Sequence, residues 1–288
     1  MDDTEPVRIE HPVVEFLRMY LRNWAAIAGF LMFMAIVFAA LFAPALLQRD
    51  PFEMVWMPFS PPGKDGYLLG TDNLGRDLLI AVIYGARATL AVGASAAGIT
   101  IFIGITIGSL AGYYRGWVDE VLMRITEFFQ VLPPLLLAMV LVSLFSPTLP
   151  TVAIAIGVVS WTGVARLARA EFMRIRELEF VKAARSIGSR DRRIIWRVIL
   201  PNALPPLIVN AALTVGVAIL FEAALSFLGL SDPNVMSWGK LIGDNRDYLL
   251  DAPWTVTMPG VAIFLTVLSV SLIGDGLNDA FNPRLRER

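Results

Sequence analysis

Five long uncharged stretches, separated by polar segments, limit most strongly what this chain can fold into. They are residues 24–47, 88–114, 128–165, 198–221 and 255–274. A helix needs about 20 mostly apolar residues to cross a bilayer, and each stretch reaches that length. The third is long enough for two helices, and prolines at 147 and 150 divide it. The pattern therefore predicts an all-α integral membrane protein with six transmembrane helices.

The predicted domain organisation follows from these stretches. The transmembrane domain covers residues 24–282, with spans at about 24–47, 88–112, 124–146, 148–166, 202–228 and 255–278. Loops at 48–87 and 229–254 lie on one side, a loop at 167–201 lies on the other, and residues 1–23 and 283–288 are terminal segments. The composition agrees, because 17% charged residues is below the value of about 25% that is typical of soluble domains.

The distribution of positive charge predicts the orientation. Residues 166–201 hold ten of the 24 Lys and Arg residues. With both termini on the same side as this segment, that side carries eighteen basic residues and the other five or six. Positive charge concentrates on the cytoplasmic side of membrane proteins. We therefore expect residues 167–201 and both termini in the cytoplasm.

The basic segment has the local pattern of two short helices. Residues 171–187 carry apolar side chains at every third position, and Gly188 suits the left-handed end of a helix. Ser189 is expected to cap a second helix with Asp191 in its first turn, and Pro201 to end that helix. A basic amphipathic helix lies either on a membrane surface or in a groove of another protein. The residues alone do not choose between the two.

Several kinds of chemistry are excluded by composition. The chain has no Cys, and its one His is His11, so a His-pair or zinc-thiolate metal site is not expected. A phosphate-binding P-loop needs Gly-Lys followed by Ser or Thr. Gly precedes Lys64 and Lys240, but Asp and Leu follow them, and Lys182 has no preceding Gly. We predict no catalytic, cofactor-binding or metal residues in this chain, and any ATP must bind to another subunit.

Three further features carry alternatives. Glu222 lies near the outer end of the fifth span, where it either pairs at an interface or faces the transport path. The run GTDNLGRD is interpreted as an ordered loop in preference to a metal site at Asp72 and Asp77. The aspartates of residues 244–251 are interpreted as a solvated loop in preference to a cation site. As a fourth feature, the glycines at 104, 108 and 112 share one helix face, which is interpreted as a face for close helix packing in preference to a ligand-binding role.

Residues 182–201 resemble the EAA loop of bacterial ABC-importer permeases. They read KAARSIG, then nine further residues, then VILP. That loop is written EAA, three residues, Gly, nine residues and I-x-L-P. The matching positions are Ala183, Ala184, Gly188, Leu200 and Pro201. Lys182 replaces the usual Glu and Val198 the usual Ile, although Glu179 lies one turn earlier.

In that family the EAA loop forms coupling helices that dock into a cleft of the ATP-binding subunit. The resemblance therefore implies an ATPase-coupling role for the five matching residues and for Glu179, Lys182 and Arg185. It favours a protein groove over the membrane surface.

Other runs extend the resemblance to nearly the whole chain from Gly29. GTDNLGRD followed by YGARATL, EAALSFLGLSDPNVMSWGKLI at 222–242 and GDGLNDAFNPRLR at 274–286 resemble signatures of dipeptide, oligopeptide and nickel permeases. The pattern is most similar to the C-type permease subunit, although Asn278 and Asn282 depart from it. The implied architecture is the type I ABC-importer permease fold with cytoplasmic coupling helices.

The resemblance also implies function, partners and location. The chain is expected to be a non-enzymatic permease of the bacterial inner membrane that moves short peptides, with nickel chelates, glutathione or opine-like conjugates as alternatives. Expected partners are a homologous permease in a heterodimer, one or two ATPase subunits that hold ATP and Mg²⁺, an extracytoplasmic binding protein and membrane lipid, but no nucleic acid. An ion-coupled carrier, a channel and a membrane-embedded enzyme are the competing hypotheses.

Overall fold

A computed structural model describes residues 12–281, and within that range the chain is helical apart from loops and two isolated β-bridges. The helices are α1 (Pro12–Arg22), α2 (Trp24–Leu47), α3 (Leu78–Tyr114), α4 (Gly116–Val131), α5 (Pro134–Phe145), α6 (Leu149–Arg176), α7 (Glu179–Ser186), α8 (Asp191–Arg193), α9 (Leu200–Phe227), α10 (Trp238–Asn245) and α11 (Trp254–Phe281). This confirms the predicted all-α fold. His11, Asn282 and the tail at 283–288 lie outside the described residues.

Five helical stretches in the described range are long and apolar enough to cross a membrane. They lie in α2, α3, α6, residues 191–227 and α11. The pair α4 and α5 forms a sixth candidate, but its two halves are bent by 86°. The third span was predicted as a single helix at 124–146, whereas the structure has two helices with a sharp bend between them. Proline disfavours α conformation in the residue before it, and Leu132 before Pro133 is extended with ψ 130°.

Two other helix boundaries differ from the prediction. The helix α3 begins at Leu78, not at residue 88, because the Asp77 side chain accepts a hydrogen bond from the Leu79 backbone N–H at 3.0 Å and caps the helix. The helix does not end at Pro201. The helix α8, a π-helical segment (Ile194–Ile199) and α9 are continuous, and Pro201 lies in the first turn of α9. The wider π turn directly precedes Pro201, where a proline ring would clash in a regular α-helix.

The helices α3 and α6 form the most extensive contact in the bundle. The predicted glycine face lies at this contact. A methyl group added at Gly104 would lie 2.5 Å from Cβ of Val164, and one added at Gly112 would lie 2.6 Å from the Arg169 carbonyl oxygen. The absence of side chains thus lets the two backbones touch. The helix-packing interpretation of these glycines is confirmed.

The loop between α2 and α3 is ordered by its own side chains. The Asp72 carboxylate is fully buried and accepts backbone N–H groups of Leu74 and Arg76 at 2.9 Å and Arg76 Nε at 2.5 Å. Asn73 then ties the loop to α10, its backbone N–H donating to Asn245 Oδ1 at 3.0 Å. These contacts give Asp72 a structural role and confirm that GTDNLGRD is an ordered loop.

At the opposite end of the bundle, α1 packs beside the end of α11. Asn23 Nδ2 donates to Asp279 Oδ2 at 2.9 Å, and the rings of Phe16 and Phe281 lie 4.8 Å apart. Residues 1–23 were predicted as a terminal segment, with no helix assigned to them. The structure places a helix over the second half of it, on the side of the bundle where α3 and α6 end.

Replacement of Gly108 by Ala should destabilise the bundle, because the added methyl group overlaps the Ala165 carbonyl oxygen. Overpacking of this kind costs about 1–3 kcal/mol. Gly98→Ala on the same helix is the matched control, since nothing lies within 4 Å of its added methyl group. The thermal midpoint of the purified chain in detergent should fall for Gly108→Ala only. Equal midpoints would contradict the packing account.

Candidate functional site

The helix α7 is separated from α6 by a sharp turn. The predicted single helix over 171–187 is wrong in this respect, because α6 ends at Arg176 and Leu178 is extended with ψ 147°. Tertiary packing explains the turn. Val181 is fully buried in a cluster that includes Phe172 and Ile194, and a straight continuation of α6 would carry it away from that cluster.

The end of α7 has the geometry that Gly188 predicted. Gly188 has φ +79°, its N–H donates to the Arg185 carbonyl at 3.0 Å, and the Ser189 N–H donates to the Ala184 carbonyl at 3.1 Å. This pair of bonds is the Schellman motif, which requires a left-handed residue. Ser189 is not the cap of the next helix, however. Arg190 occupies that position with extended backbone and makes no side-chain cap bond.

Tyr113, at the end of α3, contacts both α7 and α8 and connects them to the bundle. Its hydroxyl donates to Asp191 Oδ1 at 2.5 Å, and its backbone carbonyl accepts from the Arg176 guanidinium. The guanidinium carbons of Arg176 and Arg185 lie 5.6 and 5.8 Å from its ring centroid, within the range of cation–π attraction. Asp191 thus accepts a hydrogen bond from Tyr113, a contact that its predicted place in the first turn of a helix did not indicate.

Buried apolar residues and ion pairs reinforce this attachment. The buried cluster beneath α7 consists of Tyr113, Ala168, Phe172, Ile175, Val181, Ile194, Ile195, Ile199, Ala203 and Leu207. Arg169 forms a two-pronged ion pair with Asp119 at 2.5 and 2.7 Å, and Arg115 meets Glu177 at 2.9 Å. Since α3, α6 and α9 all contribute to the cluster, α7 packs against three long helices at once.

The outer side of α7 exposes an apolar stripe. Phe180 and Ile187 are 46% and 83% exposed, and Ala183 lies between them on the same helix face. We call Phe180, Ala183 and Ile187 the α7 stripe. Phe180 was not among the predicted coupling residues. The spacing of residues 180, 183 and 187 could have predicted this stripe. The apolar residues at every third position of 171–187 indicated a different helix face.

The predicted coupling residues divide between α7 and the helix behind it. Glu179, Lys182, Arg185 and Gly188 are exposed beside the stripe, and Lys182 pairs with Glu179 at 3.1 Å. Ala184 is half-buried. Leu200 and Pro201 lie in α9, where Leu200 packs against the buried cluster. The structure therefore brings five of the eight onto one surface and gives Leu200 a supporting position.

Glu222 lies in the interior of the opposite half of the bundle. It is 2% exposed, and Ser226 Oγ donates to its Oε1 at 2.7 Å. Within the described residues its Oε2 has no hydrogen-bond partner, with the hydroxyls of Thr89 and Ser237 beside it. Its surroundings are α3, α9 and the start of α10. In this chain it is packed between helices, and its role in a transport path stays a prediction.

These features define a multi-span helical membrane protein with a rigidly attached pair of short helices at one end of its bundle. Comparison with known proteins identifies the family. The model of the binding-protein-dependent transport system inner membrane component matches residues 104–287, and the chain belongs to this family. Its fold is that of the type I ABC-importer permeases.

Similar proteins cover almost the whole chain. It is 41% identical over 282 residues to the di/tripeptide transport system permease protein DppC of Pseudomonas aeruginosa, covering 96% of this chain and 93% of that protein. It is 35% identical to the glutathione transport system permease protein GsiD of Pectobacterium atrosepticum, with coverages of 96% and 93%. It is 34% identical to the oligopeptide permease protein OppC of Bacillus subtilis, with coverages of 92% and 87%.

A solved structure of the MetNI methionine ABC transporter in an inward-facing conformation resembles this fold. The TM-score is 0.57 at 19% identity, and the match covers 69% of this chain and 94% of that one. The likeness supports the helix arrangement alone. The prediction that the chain is a permease subunit of an ABC importer, made from the EAA-like run and the other runs, is confirmed by the family match.

Tyr113→Phe should loosen the attachment of the segment after α7, because it removes the hydroxyl that Asp191 accepts. A hydrogen bond to a charged group contributes about 1.5–3 kcal/mol. Hydrogen exchange of backbone amides at 187–191 should therefore accelerate by roughly tenfold or more. Tyr114→Phe is the matched control, since Tyr114 is 46% exposed. Equal exchange in the two variants would show that the bond does not hold the segment.

Proposed function

We propose that this chain is the permease subunit of an ATP-driven importer of short peptides, and that the α7 stripe is its contact with an ATPase subunit. The observation that carries the proposal is an exposed apolar stripe on a short helix that is anchored on its other side by the fully buried Val181. Three apolar side chains on one face of an amphipathic helix suit a groove on a protein partner. The basic residues around it suit an acidic rim of that groove.

Energy in this proposal comes from the partner. ATP and Mg²⁺ are held by one or two ATPase subunits, and this chain supplies no part of the nucleotide site. Closure of the ATPase pair displaces α7, and the buried cluster transmits the displacement to α3, α6 and α9. The bundle then exchanges outward-open for inward-open arrangements, a two-state change that nucleotide and solute bias.

The proposed assembly places this chain beside a homologous permease in the bacterial inner membrane. The excess of Lys and Arg at 166–201 supports a cytoplasmic location for α7 and both termini. The loop at 48–77 and α10 then face the extracytoplasmic side. There they meet a solute-binding protein that delivers the cargo.

Short peptides are the proposed cargo. The relatives named for di/tripeptides and oligopeptides, together with the one named for glutathione, itself a tripeptide, support this class. Uptake of labelled dialanine by cells that express the complete transporter tests it. Uptake should fail when ATP is depleted while the ion gradient is maintained. Uptake that follows the ion gradient would favour an ion-coupled carrier and overturn the proposal.

Gly188→Val should separate ATP hydrolysis from transport. A β-branched residue resists the left-handed conformation at a cost of about 1–2 kcal/mol or more, while nothing lies within 4 Å of the added Cβ. The helix end should therefore shift without any clash. We expect the variant to insert normally and its complex to hydrolyse ATP, with peptide uptake reduced at least severalfold.

Gly188→Asn is the control for this experiment, because Asn adopts the left-handed conformation more readily than other side chains. It should retain most of the uptake. Normal uptake by Gly188→Val would show that the end of α7 does not participate in coupling. Equal loss in both variants would indicate a requirement for Gly itself and not for its backbone conformation.

A further inference from the structure

The cleft at the outer end of α3 contains polar groups that the coupling account does not use. A cavity of about 360 Å³ is lined by Tyr84, Arg87, Asn234, Pro51, Phe52, Ala88, Ala91, Leu149, Val235 and Met236. It lies at the end of the bundle opposite to α7. Its polar side chains are Tyr84 and Arg87 on α3 and Asn234 in the turn before α10.

A second, apolar cavity of about 280 Å³ continues from the first. It is lined by Ala91, Val92, Ser95, Ile99, Leu149, Pro150, Ala153 and Ile154. Ala91 and Leu149 line both cavities. Residues 84, 87, 91, 95 and 99 follow each other at three- or four-residue intervals, so one face of α3 forms the floor of both. The two cavities are thus one cleft with a polar mouth and an apolar inner end.

Among the described residues that line the two cavities, Arg87 is the only basic one. It is exposed, and within the described residues its guanidinium has no hydrogen bond or ion pair. The same holds for the Tyr84 hydroxyl and the Asn234 side-chain amide. Three polar side chains with unused hydrogen-bonding groups therefore line the same cavity. Guanidinium groups bind carboxylates through two parallel hydrogen bonds.

We propose that this cleft is a binding site for the carboxylate end of a short peptide-like solute. The guanidinium of Arg87 receives the carboxylate, Tyr84 and Asn234 supply further hydrogen bonds, and an apolar side chain enters the inner end beside Ala91 and Ile99. The proposal deepens the proposed function, on which its choice of a peptide depends. The cavity volume falls within the range of about 300–1,000 Å³ of small-ligand sites.

A phospholipid is the other ligand with an anion and an apolar part. The lining favours the solute, because protein borders the mouth on two sides. Pro51 and Phe52 of the loop line one side, and residues 234–236 line another.

Direct binding to the full chain in phosphatidylcholine nanodiscs tests the proposal without any partner. The probes are dialanine and alanyl-alaninamide, which lacks the carboxylate. The wild-type chain should bind dialanine roughly tenfold more tightly than the amide, the effect of one charge-assisted pair. Arg87→Met should abolish this preference, and Arg87→Lys should retain part of it. Lys64→Met is the control, since it removes an exposed cation from the neighbouring loop and should keep the preference.

Three results would overturn the proposal. They are equal binding of the two probes to the wild-type chain, an unchanged preference in Arg87→Met, and loss of the preference in Lys64→Met. Retention of a phospholipid by the wild-type chain but not by Arg87→Met in native mass spectrometry, with no dialanine binding, would assign the cleft to lipid. Uptake of dialanine by the complete transporter tests the proposed function separately. A transporter that takes up dialanine while its permease fails the nanodisc test has the proposed function without this site.

Discussion

The burial of Val181 and the bond between Tyr113 and Asp191 are the contacts on which the position of α7 depends. Without them α7 would be an extension of α6 projecting into water. With them it lies across the ends of α3, α6 and α9, with one side in an apolar cluster and the other exposed. A short helix cannot be stable alone, so this packing also determines that α7 exists. The exposed side is therefore held in a fixed position.

The helix α3 connects the two ends of the molecule. Its first turns form the floor of the cleft at Arg87, its middle packs against α6 through Gly104 and Gly108, and its last residues include Tyr113. Close backbone contact leaves little room for independent movement of α3 and α6. We infer that a displacement at α7 reaches the outer cleft as a shift of this helix pair. The proposed solute site and the proposed coupling site thus share one rigid element.

Much of the fold could be predicted from hydrophobic length and glycine spacing. The uncharged stretches located the long helices, the glycines at four-residue intervals located the α3–α6 contact, and Gly188 located the end of α7. These signals are local, since each depends on a few residues and on general properties of helices or membranes. The family resemblance was equally visible in short runs of sequence.

The missed features depend on contacts between distant segments. The turn at residues 177–178 has no glycine or proline and exists because Val181 enters a cluster formed by α6 and the π-helical segment. Pro201 was expected to end a helix, but a widened turn accommodates it. The cleft at Arg87 joins α3 to residues 51–52 and 234–236, and no sequence pattern places these segments together.

Cysteine crosslinking from the α7 stripe tests the central claim most directly. The chain has no native Cys, so single substitutions give a clean background. Ile187→Cys should crosslink to a nucleotide-binding subunit in the assembled transporter, whereas Leu250→Cys, which is 96% exposed near α10, should not. Labelling of Ile187→Cys by a membrane-impermeant thiol reagent added outside intact cells, with no crosslink to a nucleotide-binding subunit, would contradict the account.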